Sequence, residues 1–172
     1  MATPQPQTLL FDADEASGFP NSALPVLVYR GVLDVSKKVP AKDPAAEFEA
    51  LFARHQWPPQ WRYGLYDFDH YHSTAHEALG VFRGQAHIRL GGPHGSEHDI
   101  AAGDVLVLPA GVGHACLKAS GDFTMVGAYP PGQSWEVERG DPAELSDARA
   151  RVAKVPLPAD DPVGGDLLSL WH

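Results

Sequence analysis

The middle of the chain, from Tyr63 to Tyr129, consists of short apolar segments separated by glycine and proline turns. The turns are at Gly84, Gly91–Pro93, Gly103–Asp104, Pro109–Gly111 and Gly121–Asp122. Glycine and proline mark turns because of the backbone angles that they allow, and many short strands at even spacing are typical of a sandwich or a barrel. We predict strands over 64–72, 76–83, 85–90, 98–101, 104–108, 113–118 and 123–129.

One helix is predicted before these strands, near 43–56. Asp43 is a good N-cap and Pro44 suits the first helical position, and the proline pair after Trp57 ends the helix. Residues 1–23 are polar and without a clear period, so we interpret them as an irregular arm. The alternation around Val26 predicts a strand near 24–30, and a second, weaker helical pattern covers 142–152.

The length of 172 residues and the absence of an internal repeat fit one domain over 1–172. We expect a barrel core over about 60–130, an N-terminal arm and helix over 1–59 and a C-terminal extension over 131–172. The formal net charge of −9 argues against partners that need a basic surface, namely nucleic acids and anionic membranes. We expect no signal peptide, because the first residues contain no basic segment followed by an apolar run. No apolar run of this sequence is long enough to span a membrane, and Cys116 is the single cysteine. A cytoplasmic location is expected.

Nine histidines is a high number for this length, and four of them lie between positions 70 and 87. His70 and His72 are two residues apart on a predicted strand, so their side chains point to the same face. A hairpin through Ser73–Ala75 can bring Glu77 opposite them, and the turn before His114 re-aims that residue at the start of another strand. Three neutral imidazoles and a carboxylate suit Fe, Mn, Ni, Co, Cu or Zn.

His76 leaves an alternative open. In a register shifted by one residue, His72 and His76 would be the ligand pair instead. Such a slip turns a whole strand over, so we favour the register in which His76 faces away from the cavity, as a support for the ligands or a dimer contact.

Residues 64–84 read GLYDFDHYHSTAHEALGVFRG, and residues 103–114 read GDVLVLPAGVGH. These segments resemble the two motifs of the cupin superfamily, G(X)5HXH(X)3–4E(X)6G and G(X)5PXG(X)2H(X)3N. The fixed positions are matched by Gly64, His70, His72, Glu77, Gly84, Gly103, Pro109, Gly111 and His114, whereas Lys118 stands where the family has Asn. The chain is similar in particular to a group of bacterial single-domain cupins without assigned activity.

The resemblance implies an all-β fold, a jelly-roll or double-stranded β-helix barrel with one or two peripheral helices. It also implies that His70, His72, Glu77 and His114 hold one divalent transition metal per chain, the same four residues that the spacing selects. A homodimer is expected from the resemblance, with the strand near 24–30 as the paired edge.

Several residues are candidates for lining the cavity beside the metal. They are Tyr66, Phe68, Cys116, Met125 and Tyr129. We favour barrel core for Phe68 and a small buried apolar role for Cys116, whereas Tyr66 fits either the pocket or the core. His87, Arg89, His94 and His98 are expected on a polar face or in a turn, and His55 against the helix.

Two functions are compatible with this pattern. One is a metalloenzyme, dioxygenase-like or isomerase-like, that acts on a small organic molecule. The alternative is a non-catalytic module that binds or senses a small molecule on its metal. The fold cannot choose between them.

Overall fold

The structure is a computed structural model that describes residues 3–35 and 42–172. Strands dominate this described part of the chain. They are β1 (Gln7–Phe11), β2 (Ser22–Tyr29), β3 (Pro59–Tyr63), β4 (Glu77–Arg83), β5 (Gln85–Leu90), β6 (Ser96–Ala101), β7 (Val105–Leu108), β8 (His114–Ala119) and β9 (Thr124–Ala128). The helices are α1 (Pro44–Arg54), α2 (Leu145–Ala153) and α3 (Leu167–Leu170), with a 3-10 helix at Pro142–Glu144.

The strands form two antiparallel sheets, as expected for an all-β barrel of the jelly-roll type. The larger sheet has the order β1-β2-β7-β4-β9-β3, and the smaller has the order β6-β5-β8. Strands that are distant in sequence are therefore neighbours, as where β4 lies between β7 and β9. The predicted fold class is confirmed.

The larger sheet is buried on both of its faces, because successive side chains of a strand point to opposite sides. In β2, Leu27 and Tyr29 belong to one apolar cluster, while Val26 and Val28 belong to another. The second cluster also contains Ile88 and residues of the smaller sheet, so it is the core between the sheets. This double burial explains why β4 and β7 are apolar along most of their length.

The outer face of the larger sheet is covered by α1 and the C-terminal segment. Asp43 caps α1 by accepting the Ala45 N–H at 3.0 Å, and the fully buried Phe48 and Phe52 belong to the outer cluster. Trp171 is also fully buried there, and its Nε1–H donates to the Pro25 carbonyl at 2.9 Å. None of the helices in the described ranges is long and apolar enough to cross a membrane.

Two predictions about the N-terminal region are wrong. The arm over 1–23 is not irregular throughout, because it contains β1 and the beginning of β2. The strand near 24–30 is not an edge, because β2 lies between β1 and β7. The alternation identified β2 as a strand, but its neighbours are β1, in the segment interpreted as irregular, and β7, from a distant part of the chain. The edge on this side is β1.

The predicted strand over 64–72 is also wrong as a regular strand. Residues 67–68 form a bend, and only isolated bridges occur at His70 and Tyr71. The regular strand of this region is β3, which begins directly after the Trp57-Pro58 step and pairs with β9. Pro58 and Pro59 are the reason why β3 was not predicted, because proline is unusual in a strand except at an edge or as the first residue. Here Pro59 is the first residue of an edge strand.

The contact between β4 and α1 gives a test of this packing. A methyl group added at Gly80 would lie 2.8 Å from Cδ1 of Phe48, so Gly80→Ala forces the helix away from the sheet. We expect it to lower the free energy of unfolding by about 1–3 kcal/mol, measured by chemical denaturation. Gly121→Ala is the control, because a methyl group there meets nothing within 4 Å. Equal stability of the two variants would contradict the close approach of α1 to β4.

Candidate metal centre

An antiparallel backbone bridge places His70 beside His114. The His70 N–H donates to the His114 carbonyl at 3.1 Å, and the His114 N–H donates back to the His70 carbonyl at 2.9 Å. Their side chains therefore leave the backbone side by side, with ring centroids 4.1 Å apart. The bridge explains how two histidines separated by more than forty residues in the sequence reach one site.

His72 and Glu77 are brought in from either side of a short turn. The carbonyl of His72 accepts the Gly111 N–H at 2.8 Å, and Tyr71 forms a bridge with Glu138. Glu77 is the first residue of β4 and pairs with Leu108, the last residue of β7. The site thus lies at one end of the barrel, where β4 begins and β7 ends.

The four side chains meet in a buried cluster. The ligand atoms of His70, His72 and His114 all lie within 4.8 Å of one another. Oε2 of Glu77 lies 3.4 Å from Nε2 of His72, and Oε1 lies 3.3 Å from Nε2 of His114. All four residues are nearly inaccessible to solvent.

Backbone carbonyls fix the tautomer of each of the three imidazoles. Nδ1 of His70 is 3.0 Å from the Phe68 carbonyl, and Nδ1 of His114 is 3.0 Å from the Val112 carbonyl. Nδ1 of His72 is 2.8 Å from the carbonyl of Glu136. A carbonyl only accepts hydrogen bonds, so each Nδ1 carries the proton. In the neutral ring, Nε2 then presents a lone pair to the cluster, as a metal-binding histidine requires.

Two of the converging atoms have no hydrogen-bond partner. They are Nε2 of His114 and Oε1 of Glu77, both buried. Since Nδ1 of His114 holds the proton, its Nε2 cannot donate to the carboxylate, and two lone pairs face each other. Buried polar atoms without a partner are costly. A cation between these atoms would satisfy both of them.

The charges of the site influence one another. Burial raises the pKa of Glu77, but the neighbouring His72 is the largest of the opposing effects, and that pKa lies well below its usual range. Burial lowers the pKa of His72, but Glu77 reverses this and raises the pKa above its ordinary value. Burial and the neighbouring His114 lower the pKa of His70 to about 3. The lowered pKa of Glu77 and the raised pKa of His72 thus both reflect the attraction between these two groups.

A tyrosine and a tryptophan orient the carboxylate. The Tyr129 hydroxyl donates to Oε2 of Glu77 at 2.6 Å, and it accepts a hydrogen bond from Nε1–H of Trp61 at 2.9 Å. Burial and the adjacent carboxylate raise the pKa of Tyr129, so its phenol keeps its proton. Oε2 of Glu77 thus has a hydrogen-bond donor, while Oε1 faces the histidines.

His76 points away from this cluster, as the favoured register predicts. Its ring packs against Trp171 with centroids 4.9 Å apart, and its Nδ1 accepts the Ala110 N–H at 2.9 Å. Burial lowers the pKa of His76 to about 4. The ring is part of the packing between β4 and the C-terminal segment.

The candidates for lining the cavity separate into two groups. Tyr66 and Tyr129 line a cavity of about 360 Å³ above the four clustered residues. Phe68, Cys116 and Met125 are not among its lining residues. Phe68 stacks on Tyr66 with its ring beneath the Arg139 guanidinium. Met125 is fully buried in the core between the sheets, and Cys116 packs against that core.

Several lining residues were not predicted from the sequence, namely Trp61, Tyr63, Trp135 and Val137. Trp61 and Tyr63 belong to β3, which was not predicted, although their spacing of two residues is a strand signal. Trp135 and Val137 follow β9 in a segment without regular structure, and no pattern in the sequence marks them.

The remaining histidines lie outside the cluster, as expected. His87 is exposed and contacts the carboxylates of Glu97 and Asp99 at 2.7 Å each. His94 contacts Asp14, and His98 contacts Ser96. His55 follows α1 and contacts Asp160 at 2.7 Å.

Several solved structures resemble this chain, all with low sequence identity and low TM-scores. The acireductone dioxygenase of Bacillus anthracis, solved with a cadmium ion in its active centre, is 14% identical with a TM-score of 0.45, over 79% of this chain and 99% of that one. A cupin 2 domain-containing protein of Halorhodospira halophila is 12% identical with a TM-score of 0.35, over 91% of this chain and 86% of that one.

Sequence comparison gives a firmer result. The sequence profile of the cupin family matches residues 69–127, the segment that contains the four clustered residues. The uncharacterized protein YjlB of Bacillus subtilis (strain 168) is 37% identical over 169 residues, which is 96% of each chain. The chain therefore belongs to the cupin family, as a relative of this uncharacterised Bacillus protein.

Proposed function

We propose that the chain binds one divalent transition metal through His70, His72, His114 and Glu77, and acts as a metalloenzyme on a small organic molecule. The observation that carries this proposal is the set of three Nδ1–H to carbonyl hydrogen bonds. They leave three Nε2 lone pairs directed at one another beside a buried carboxylate. Nitrogen and carboxylate ligands together suit Fe, Mn, Ni, Co, Cu or Zn.

The cavity favours a reaction that takes place on the metal itself. Glu77 is the only carboxylate among the lining residues, and the proposal assigns it and the three lining histidines to the metal. No lining carboxylate or histidine is then left to remove a proton from a substrate, so an isomerase would have to use a lining tyrosine as its base. A bound metal supplies Lewis acidity and, if it is redox-active, reaction with dioxygen. A dioxygenase-like activity is therefore preferred.

The ligand assignment is tested by metal content. We expect one metal per chain by elemental analysis of protein purified without a histidine tag. Metal binding should be weakened in each of the variants His70→Ala, His72→Ala and His114→Ala. Loss of the hydrogen-bond partner of a metal ligand typically weakens binding by ~10–100-fold, and loss of the ligand itself should cost more.

Two other histidines serve as controls for these variants. His87→Ala removes an exposed histidine and should change nothing. His76→Ala should keep the metal but lower the melting temperature, because its ring is buried against Trp171. Loss of the metal in His76→Ala, with retention in His70→Ala, would show that the ligand assignment is wrong.

The pH dependence of metal binding follows from the raised pKa of His72. A metal must displace the proton from Nε2 of His72, whereas His70, with its pKa lowered to about 3, holds no competing proton. Affinity should fall about tenfold per pH unit below the pKa of His72, which lies above the ordinary ~6.5. Titration calorimetry in buffers of different ionisation enthalpy measures the protons released. A constant affinity down to pH 5 would contradict this account.

We also propose that the chain acts as a single domain in the cytoplasm and pairs as a homodimer. The free thiol of Cys116 is compatible with a reducing compartment. Pairing of two chains through β1 is supported by its position at an edge of the larger sheet and by its Leu10, which is 63% exposed. Exposed apolar edges invite a partner strand.

The homodimer is tested on this edge. Leu10→Lys places a charge on β1 and should convert a dimer into a monomer, measured by light scattering at micromolar concentrations. Leu168→Lys, at another exposed leucine, is the control and should leave the mass unchanged. A monomeric wild-type protein would refute the proposal.

A further inference from the structure

The cavity above the four clustered residues is walled mainly by aromatic and aliphatic side chains. Its volume is about 360 Å³, close to the lower end of typical small-molecule pockets. The inner wall contains Leu79 and Tyr129, and Trp135 stacks on Tyr129 with ring centroids 4.2 Å apart and planes nearly parallel. This geometry favours a flat, apolar occupant of one or two rings.

The rim of the cavity is unusually apolar for a surface. Eight large apolar side chains are exposed in the described part of the chain, and half of them line this one cavity. They are Tyr63, Tyr66, Trp135 and Val137. Scattered exposed apolar residues need no explanation, but a group around one cavity marks a binding site.

No charged side chain of the wall is free to bind a charged substituent. Apart from the four clustered residues, Arg62 is the charged residue of the lining. Its guanidinium donates to both carboxylate oxygens of Glu49, at 2.5 and 3.1 Å, and lies 3.8 Å from Asp43. A carboxylate or a phosphate group on the ligand would therefore lose its water on binding without gaining a counter-ion.

We infer that the ligand of this site is a planar aromatic molecule with two neighbouring oxygen atoms at one end and no other charged group. This inference rests on the proposed function, because the oxygen pair meets the metal. A six-coordinate metal held by His70, His72, Glu77 and His114 would keep two positions for such a pair, for example the two hydroxyls of a catechol. The rings then lie between the inner wall and the rim.

Three probes of related chemistry test the inference on manganese-loaded protein in the absence of dioxygen, since Mn²⁺ takes six ligands and no oxidant is then present. Catechol has the ring and the oxygen pair, oxalate has the oxygen pair without a ring, and protocatechuate is a catechol with an additional carboxylate. Calorimetry should show that catechol binds at least tenfold more tightly than oxalate and more tightly than protocatechuate. Equal or tighter binding of oxalate or protocatechuate would overturn the inference.

Variants of the rim locate the ring. Trp135→Ala and Tyr63→Ala should each weaken catechol binding by roughly 2- to 10-fold through loss of ring contacts. They should leave oxalate binding and manganese content unchanged, and Leu168→Ala should leave all three unchanged. Equal loss of catechol and oxalate in the rim variants would overturn the inference.

The metal content separates this inference from the proposed function. If the wild-type protein holds no manganese or other transition metal, the proposed function fails and the inference fails with it. If the protein holds manganese but does not prefer catechol, only the inference fails.

Discussion

The buried carboxylate of Glu77 is the constraint on which the rest of the site depends. Placing an ionised carboxylate out of water costs several kcal/mol unless hydrogen bonds and opposite charges compensate. The Tyr129 hydroxyl supplies a hydrogen bond to Oε2, and the imidazoles lie beside both oxygens. Protonation of His72 would balance the charge in part, and a divalent cation would balance it more fully. The same electrostatic demand therefore explains the raised pKa of His72 and the affinity that we propose for a metal.

The double burial of the larger sheet keeps these groups in place. Glu77 begins β4, which is hydrogen-bonded on both sides, to β7 and to β9, and is packed on both faces. Tyr129 directly follows β9, so the donor and the carboxylate that accepts from it extend from adjacent strands. A rigid sheet thus fixes the carboxylate, whereas His70 and His72 lie on an irregular segment held by isolated bridges.

Much of the fold and the four candidate ligands could be predicted from the sequence because they depend on local signals. The glycine and proline turns delimit β4 to β9, and the tautomers of His70 and His114 are fixed by carbonyls only two residues earlier. What could not be predicted depends on distant contacts. The Glu136 carbonyl orients His72 across 64 residues, and no periodicity in the sequence marks that pair. The edge position of β1 depends likewise on the order of the strands.

The segment after β9 links the proposed metal site to the cavity that a ligand would enter. Glu136 orients His72 through its carbonyl, while its neighbours Trp135 and Val137 line the cavity. The carboxylate of Glu138 accepts from the Ser73 N–H at 2.9 Å and from the Arg151 guanidinium at 2.8 Å, which ties the segment to the turn after His72 and to α2. A displacement of this segment would therefore change both the apolar wall and the orientation of His72. Relatives that differ in this segment should then differ in ligand preference and in metal affinity together, even where all four candidate ligands are retained.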